Sequence, residues 1–379
     1  MTERKKQKWD VTVYDSTLRE GEQMPGVRFT PEQKKEIAAM LIEAKVPQIE
    51  AGFAAVSDEE RNAIRLVSSL GGDVEILSLS RAKKEDIDAA VACDVDMILI
   101  FIATSELHMQ KKLRKTEDEV AESVVSSIEY AKAQGVKVGF SSEDSTRSKR
   151  EFLMRIYSLA AEAGADRLGI TDTLGCATPE IIIDLVKLTK SVSDLPVSVH
   201  LHNDFGLAIA NSIAAVQNGA NAVATTVCGF GERAGNVPLE QFVMAMKHLY
   251  DNDLGIKTEL LTPIAKKVSE FANVSMSPIQ PWVGHNAFAH ESGIHVAAVL
   301  TDPRTYEFLD PETVGNVRRL VMGKHSGRAL IATKLKQREV IAAPEKLDAI
   351  LKKVKKIGEL KGAVSEEEFW RIVDEVLKK

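Results

Sequence analysis

The feature that most constrains this chain is a rhythm that repeats from residue 11 to about residue 250: a short apolar run, a polar loop, then an amphipathic helical stretch. Apolar runs of strand length fall at 11–14, 48–51, 74–79, 97–102, 136–140, 167–170, 197–201 and 222–227. Helical patterns lie between them, among them 31–44, 117–133, 149–163 and 179–191. The first of these has a strong entry signal, with Thr30 as N-cap, Pro31 at the first helical position and Gln33 completing a capping box. Gly135, Gly164 and Gly219 stand where helices should stop. Strand–helix alternation calls for parallel strands joined by helical crossovers. Eight such units in about 240 residues fit a closed α/β barrel of the (β/α)8 TIM type, with an open doubly wound sheet as the alternative.

After residue 250 the rhythm changes. Residues 254–273 read as helical, and a loop-rich stretch with Pro278, Pro281 and Gly284 follows. From Pro344 come two Lys/Glu-rich amphipathic helices, the second opening with a capping box of Ser365 and Glu368. Their charges read as a solvated face, with Leu347, Ile350, Leu351 and Val354 packing inward. The expected organisation is a barrel over 9–253, a linker or lid region over 254–330 and a helical subdomain over 331–379.

Composition narrows the partners. A net charge of -6 and an isoelectric point near 5.9 disfavour nucleic acid or an anionic membrane as the main partner. Cys93, Cys176 and Cys228 lie far apart with no C-x-x-C pair, which fits a reducing compartment rather than a disulfide framework. The charged opening residues lack an apolar segment behind them, and no apolar stretch is long enough to cross a bilayer. The expectation is a soluble cytoplasmic protein.

In a barrel, residues just past each strand's C-terminal end face one mouth, where active sites form. Here those positions are polar: Asp15 through Gln23 after the first strand, Glu50 after the second, and Glu143 after the fifth. Thr173 follows the sixth, His200 and His202 end the seventh, and Glu232 to Asn236 follow the eighth. Alternate residues of a strand share a face, so His200 and His202 can reach one divalent metal ion. Glu20 can add an oxygen ligand, and Arg19 beside it places a fixed positive charge where an oxyanion develops. The plainer alternatives are a hydrogen-bonded histidine pair without metal and an Arg19–Asp15 ion pair.

Four motifs in this order resemble one family. Asp15-Ser-Thr-Leu-Arg-Glu-Gly-Glu-Gln23, His200-x-His202-Asn-Asp, Gly229-x-Gly-Glu-Arg-x-Gly-Asn236 and Phe288-x-His-Glu-Ser-Gly-Ile-His295 look like the 2-isopropylmalate, homocitrate and citramalate synthases of the DRE-TIM metallolyase superfamily. That resemblance, spanning about residues 9–328, implies a Claisen-type condensation of acetyl-CoA with a 2-oxo acid. It implies that Glu20, His200 and His202 hold a divalent metal (Zn, Mn, Co or Mg), while Arg19, Gln23 and Thr173 bind the oxo acid. It further implies His295 as the base that forms the acetyl-CoA enolate, with Tyr306 and Glu143 assisting. His295 and Tyr306 would come from the neighbouring subunit of a homodimer. His285, His290 and His325 carry no implied role.

The implied substrate leans toward 2-oxoglutarate and homocitrate. The Arg19-Glu20 pair and Phe140-Ser-Ser-Glu-Asp-Ser145 resemble that branch, and no regulatory domain is legible after the tail helices. Leu79 and Gly139 point elsewhere, because lysine-pathway homocitrate synthases hold a distal carboxylate with histidine and arginine at those positions. Arg81 and Arg147 are the candidates for a substitute cation. The alternative is a 2-isopropylmalate, citramalate or Re-type citrate synthase using 2-oxoisovalerate, pyruvate or oxaloacetate. More distant alternatives are a lyase of the same superfamily and a metabolite-sensing barrel without catalysis.

Overall fold

A computed structural model describes residues 8–378; the charged opening stretch, residues 1–7, lies outside the described residues. Eight parallel strands close into a barrel in sequence order: β1 Thr12–Asp15, β2 Gln48–Gly52, β3 Glu75–Arg81, β4 Met97–Ala103, β5 Lys137–Glu143, β6 Arg167–Asp172, β7 Val197–Leu201 and β8 Ala222–Thr225. Pairing of β1 with β8, Val13 opposite Val223, closes the ring and excludes the open sheet. The strands expected from the apolar runs are all present, but β3 to β6 run further than those runs. In β3, β5 and β6 the added residues are polar (Ser80 and Arg81, Ser141 to Glu143, Thr171 and Asp172), so hydrophobicity alone stops short of them. The eighth ends earlier, at Thr225, because Val227–Gly229 turns into a short 3-10 segment.

Helices between the strands bury their apolar faces on the barrel. In Pro31–Glu43 the buried side is Ile37, Ala38 and Leu41, and both halves of the Thr30/Gln33 capping box form. Inside the ring Tyr14, Leu77, Met97, Leu99, Ala222 and Ala224 form one buried cluster, a packed interior rather than a pore.

By compactness the chain divides into two units, one up to Met276 and one from Ser277. Helix Leu261–Ala272 buries Leu261, Ile264, Ala265 and Val268 and packs beside helix Pro31–Glu43, so the first part of the expected lid belongs to the barrel unit. In the second unit, Val296 of helix Gly293–Thr301 shares one core with Leu330, Ile331, Ile350, Val354, Phe369 and Ile372. That common core joins the rest of the expected lid to the expected tail. Leu347 and Leu351 pack against it, and the Ser365/Glu368 capping box opens helix Glu366–Leu377. No helix among the described residues is long and apolar enough to cross a membrane.

Candidate active site

At the C-terminal mouth of the barrel lies a cleft of about 310 Å³. Arg19, Glu20, Gln23, Thr173, His200 and His202 line it, together with Glu143. Tyr14, Leu79 and Leu99, which project into the barrel, form its apolar floor.

The turn after β1 sets two of these groups. Asp15 is wholly buried, and its Oδ1 accepts from the Thr17 backbone N–H at 2.9 Å, bending the chain so that Arg19 and Glu20 face inward. Burial pushes the Asp15 carboxyl up to about 7. Arg19 does not pair with Asp15: its Nη2 donates to Glu50 Oε2 at 2.9 Å and its Nη1 to Glu20. Burial alone would weaken the guanidinium's hold on its proton, but Glu50 and Glu20 outweigh that and keep it charged.

Period-two geometry at the end of β7 turns both imidazoles toward Glu20. His200 Nε2 lies 3.8 Å from Glu20 Oε2, and His202 Nε2 lies 3.8 Å from Glu20 Oε1. One ligand atom from each residue falls within 4.8 Å of the other two. Burial pushes His200 down to about 3, Glu20 opposing only in part, and lowers His202 as well. Burial would also raise Glu20, but the Arg19 charge overcomes it and holds the carboxyl at about 2. At neutral pH the set is therefore one carboxylate and two neutral imidazoles, the protonation state a metal requires. The 3.8 Å spacings exceed a hydrogen bond but suit donors that each approach one ion at about 2.0–2.2 Å. The residues fit a divalent metal.

Asn236 is a neighbour that sequence reading left without a role. Its Nδ2 lies 3.2 Å from His200 Nε2, while its Oδ1 is buried with no partner. The Gly229-to-Asn236 motif was the available signal. Gly235 is what lets this loop close: at φ 78° its Cβ would sit 1.9 Å from the Gly229 carbonyl oxygen.

Thr173 Oγ1 accepts from the Asp144 backbone N–H at 2.9 Å, which leaves its own hydroxyl proton to donate into the cleft. Glu143 ends β5, and its carboxylate is bridged by Lys112 Nζ at 2.6 and 2.8 Å. Both substitute cations suggested by the sequence are engaged elsewhere. Arg81 is half-exposed and paired with Asp86, and Arg147 pairs with Asp144 at 2.8 Å.

In the second unit, His295 and Tyr306 stack with ring centroids 3.9 Å apart, and both are exposed. His290 Nε2 meets Glu307 Oε1 at 3.0 Å, and Arg318 reaches the same carboxylate at 2.7 and 2.6 Å. His290 thus braces the segment that carries His295 and Tyr306. His325 meets Glu291 only through its backbone N–H, and His285 meets Arg319 only through its carbonyl.

A family profile described as HMGL-like matches residues 10–268, and one described as homocitrate synthase post-HMGL domain-like matches residues 282–362. The chain is 50% identical over 369 residues to homocitrate synthase AksA of Methanopyrus kandleri, covering 97% of this chain and 93% of that one. It is 48% identical over 349 residues to a probable 2-isopropylmalate synthase of the same organism, covering 92% of this chain and 70% of that one. Among solved structures, the HMG-CoA lyase of Bacillus subtilis superposes with a TM-score of 0.64 at 20% identity, over 72% of this chain and 97% of that one, a likeness of fold. The chain belongs to the HMGL-like family, within its group of homocitrate and 2-isopropylmalate synthases.

Proposed function

We propose that the chain is an acyltransferase that condenses acetyl-CoA with a 2-oxo acid, foremost 2-oxoglutarate, to give homocitrate and coenzyme A. The observation that carries this reading is the largely buried Glu20, His200 and His202 set with Arg19 beside it, in a chain half identical to a homocitrate synthase. Glu20, His200 and His202 would hold a divalent metal, with the Asn236 amide next to them; zinc, manganese, cobalt and magnesium are the candidates. Such an ion, when bound, supplies Lewis-acid polarisation of the substrate carbonyl.

The chain's own groups do the rest. Arg19, kept charged and aimed by Glu50, donates toward the keto oxygen as negative charge develops there. The Thr173 hydroxyl and the Gln23 amide bind the 2-oxo acid at the cleft wall. His295 takes a proton from the acetyl-CoA methyl group, assisted by the stacked Tyr306 and by Glu143. The electron pair so released forms the carbon–carbon bond to the keto carbon, and the keto oxygen takes up a proton from water and stays on the product as its hydroxyl. Water then cleaves the thioester, releasing the coenzyme A thiol and making the condensation effectively irreversible. The exposure of His295 and Tyr306 supports their delivery to the cleft of a second subunit in a homodimer. The composition supports a cytoplasmic enzyme with no nucleic-acid or membrane partner.

One observation favours a second reading. The floor residues Leu79 and Leu99 present apolar surface where a distal carboxylate would lie, which suits 2-oxoisovalerate or pyruvate. Coenzyme A release measured with a divalent metal across 2-oxoglutarate, 2-oxoadipate, oxaloacetate, 2-oxoisovalerate and pyruvate decides between them. Highest kcat/KM for 2-oxoglutarate supports homocitrate synthesis; highest for 2-oxoisovalerate or pyruvate supports the second reading. No release with any acid would refute condensation altogether.

A further inference from the structure

The barrel interior holds a cation that the steps above do not use. Arg167 opens β6 and is only 4% exposed. Its Nη1 donates to Gln48 Oε1 at 2.8 Å, and its guanidinium carbon sits 5.0 Å from the centre of the Tyr14 ring. Its Nε and Nη2 are buried with no hydrogen-bond partner, and among the described residues no carboxylate pairs with it. The acids closest in influence are Glu75 and Glu50. Glu75 is engaged by Gln48 at 2.5 Å and by Lys137, and Glu50 by Arg19 and Ser16. A buried guanidinium with two unspent donors and no counter-ion is a costly arrangement unless an anion completes it.

The position of Arg167 says where such an anion would come from. Gly139 is its register partner on β5, so the two residues stand at the same level of the barrel. A Cβ on Gly139 would lie 3.8 Å from Arg167 Nε and 2.7 Å from Leu99 Cδ2, so the missing side chain makes the room that these two groups share. Leu99 and Tyr14 both line the active-site cleft from below. Arg167 therefore sits one side-chain layer beneath the cleft floor, with Leu99 between them. Its other flank borders a groove at the opposite end of the barrel, lined by Asp10, Asp166 and Asn221 among others. Asp10 there disfavours an anion arriving from that side, while Asp166 is already paired with Lys132 at 2.9 Å.

We propose that Arg167 is the specificity-determining cation of the cleft: it selects a 2-oxo acid bearing a second, distal carboxylate over one ending in a methyl group. This rests on the condensation reading above and names the substrate class that the apolar floor left open. Leu79 and Leu99 then flank the methylene chain, and the charge that pairs with the distal carboxylate lies below them. Arginine suits the task because its fork can keep Gln48 on one nitrogen and offer Nε and Nη2 to a carboxylate.

The test compares two acids of equal length, 2-oxoglutarate and 2-oxopentanoate, which differ only in carboxylate against methyl at the far end. In the intact enzyme 2-oxoglutarate should have the higher kcat/KM. Arg167→Gln, which can keep a hydrogen bond to Gln48, should lower kcat/KM for 2-oxoglutarate by about 30-fold or more and leave 2-oxopentanoate within about 3-fold. Arg167→Lys, which keeps the charge without the fork, should fall between the two and guards against a glutamine variant that fails to fold. Equal losses for both acids in a folded variant would make Arg167 a structural residue and overturn the proposal. So would an unchanged preference in either variant. If the intact enzyme prefers 2-oxopentanoate or uses neither acid, the parent reading fails first. If it prefers 2-oxoglutarate and the variants keep that preference, only the assignment of Arg167 fails.

Discussion

Arg19 Nη2 donates to Glu50 Oε2 at 2.9 Å, joining the turn after β1 to the wholly buried carboxylate on β2. Thirty-one positions separate them in the chain. Glu50 also accepts from Ser16 Oγ, so one carboxylate aims the arginine and holds the turn that carries Glu20. A buried pair of this kind is severely hurt when one partner is removed, because the other charge stays behind. Glu50→Ala should lower the unfolding free energy by about 3 kcal/mol in urea titrations and lower kcat/KM by about 100-fold. Unchanged stability and activity would show that Glu20 alone suffices to hold Arg19.

Removing one imidazole tests the metal set directly. Metal bound only by the folded protein stabilises it by about 2.7 kcal/mol at one hundred times the dissociation constant. The intact protein, stripped with a chelator, should recover such a stabilisation on titration with zinc, manganese or cobalt. His202→Ala should lose most of the response together with the activity. Full activity in that variant would remove His202 from the ligand set.

Asp15 gives a pH signature with a defined sign. Burial raises its folded value to about 7 from an ordinary 3.8, so between these pH values the folded state binds the proton that the unfolded state has released. The contribution of this group to stability is thus fully present below about 3.8 and is lost as pH rises toward about 7. Asp15→Asn removes the titration. The stability of the variant relative to the parent should therefore increase between pH 5 and pH 8, measured by urea unfolding. A constant difference between the two proteins across that range would place the Asp15 titration elsewhere.

The shared-site reading predicts complementation. Arg19→Ala and His295→Ala should each be nearly inactive. Equal mixing with free exchange gives half heterodimers, each with one intact site, and so about a quarter of the full activity. Demonstrated exchange without recovery would place both residues in the site of a single chain.

Much of this protein is written in local periodicities. The strand–helix alternation specifies a parallel barrel because an apolar run buried on both faces needs a helix to cover it and a crossover to return. Period-two projection at the end of β7 likewise puts His200 and His202 on one face before any tertiary contact is known. Capping at Thr30 and Ser365 is equally local, since donor and acceptor lie three residues apart. What the chain alone left open depends on ring closure and register. By sequence Asp15 is as available to Arg19 as any acid; only the adjacency of β1 and β2 brings the arginine to Glu50. Asn236 becomes a neighbour of His200 through the closed loop after β8, and Lys112 meets Glu143 across thirty-one residues. Arg167 read as the first residue of an apolar run, and its partner level with Gly139 follows from the β5–β6 register. The division at 276/277 was equally invisible, because it rests on which core Leu261 and Val296 each join. Side-chain periodicity is a property of neighbours along the chain, whereas the partner of a buried charge is chosen by the whole ring of strands.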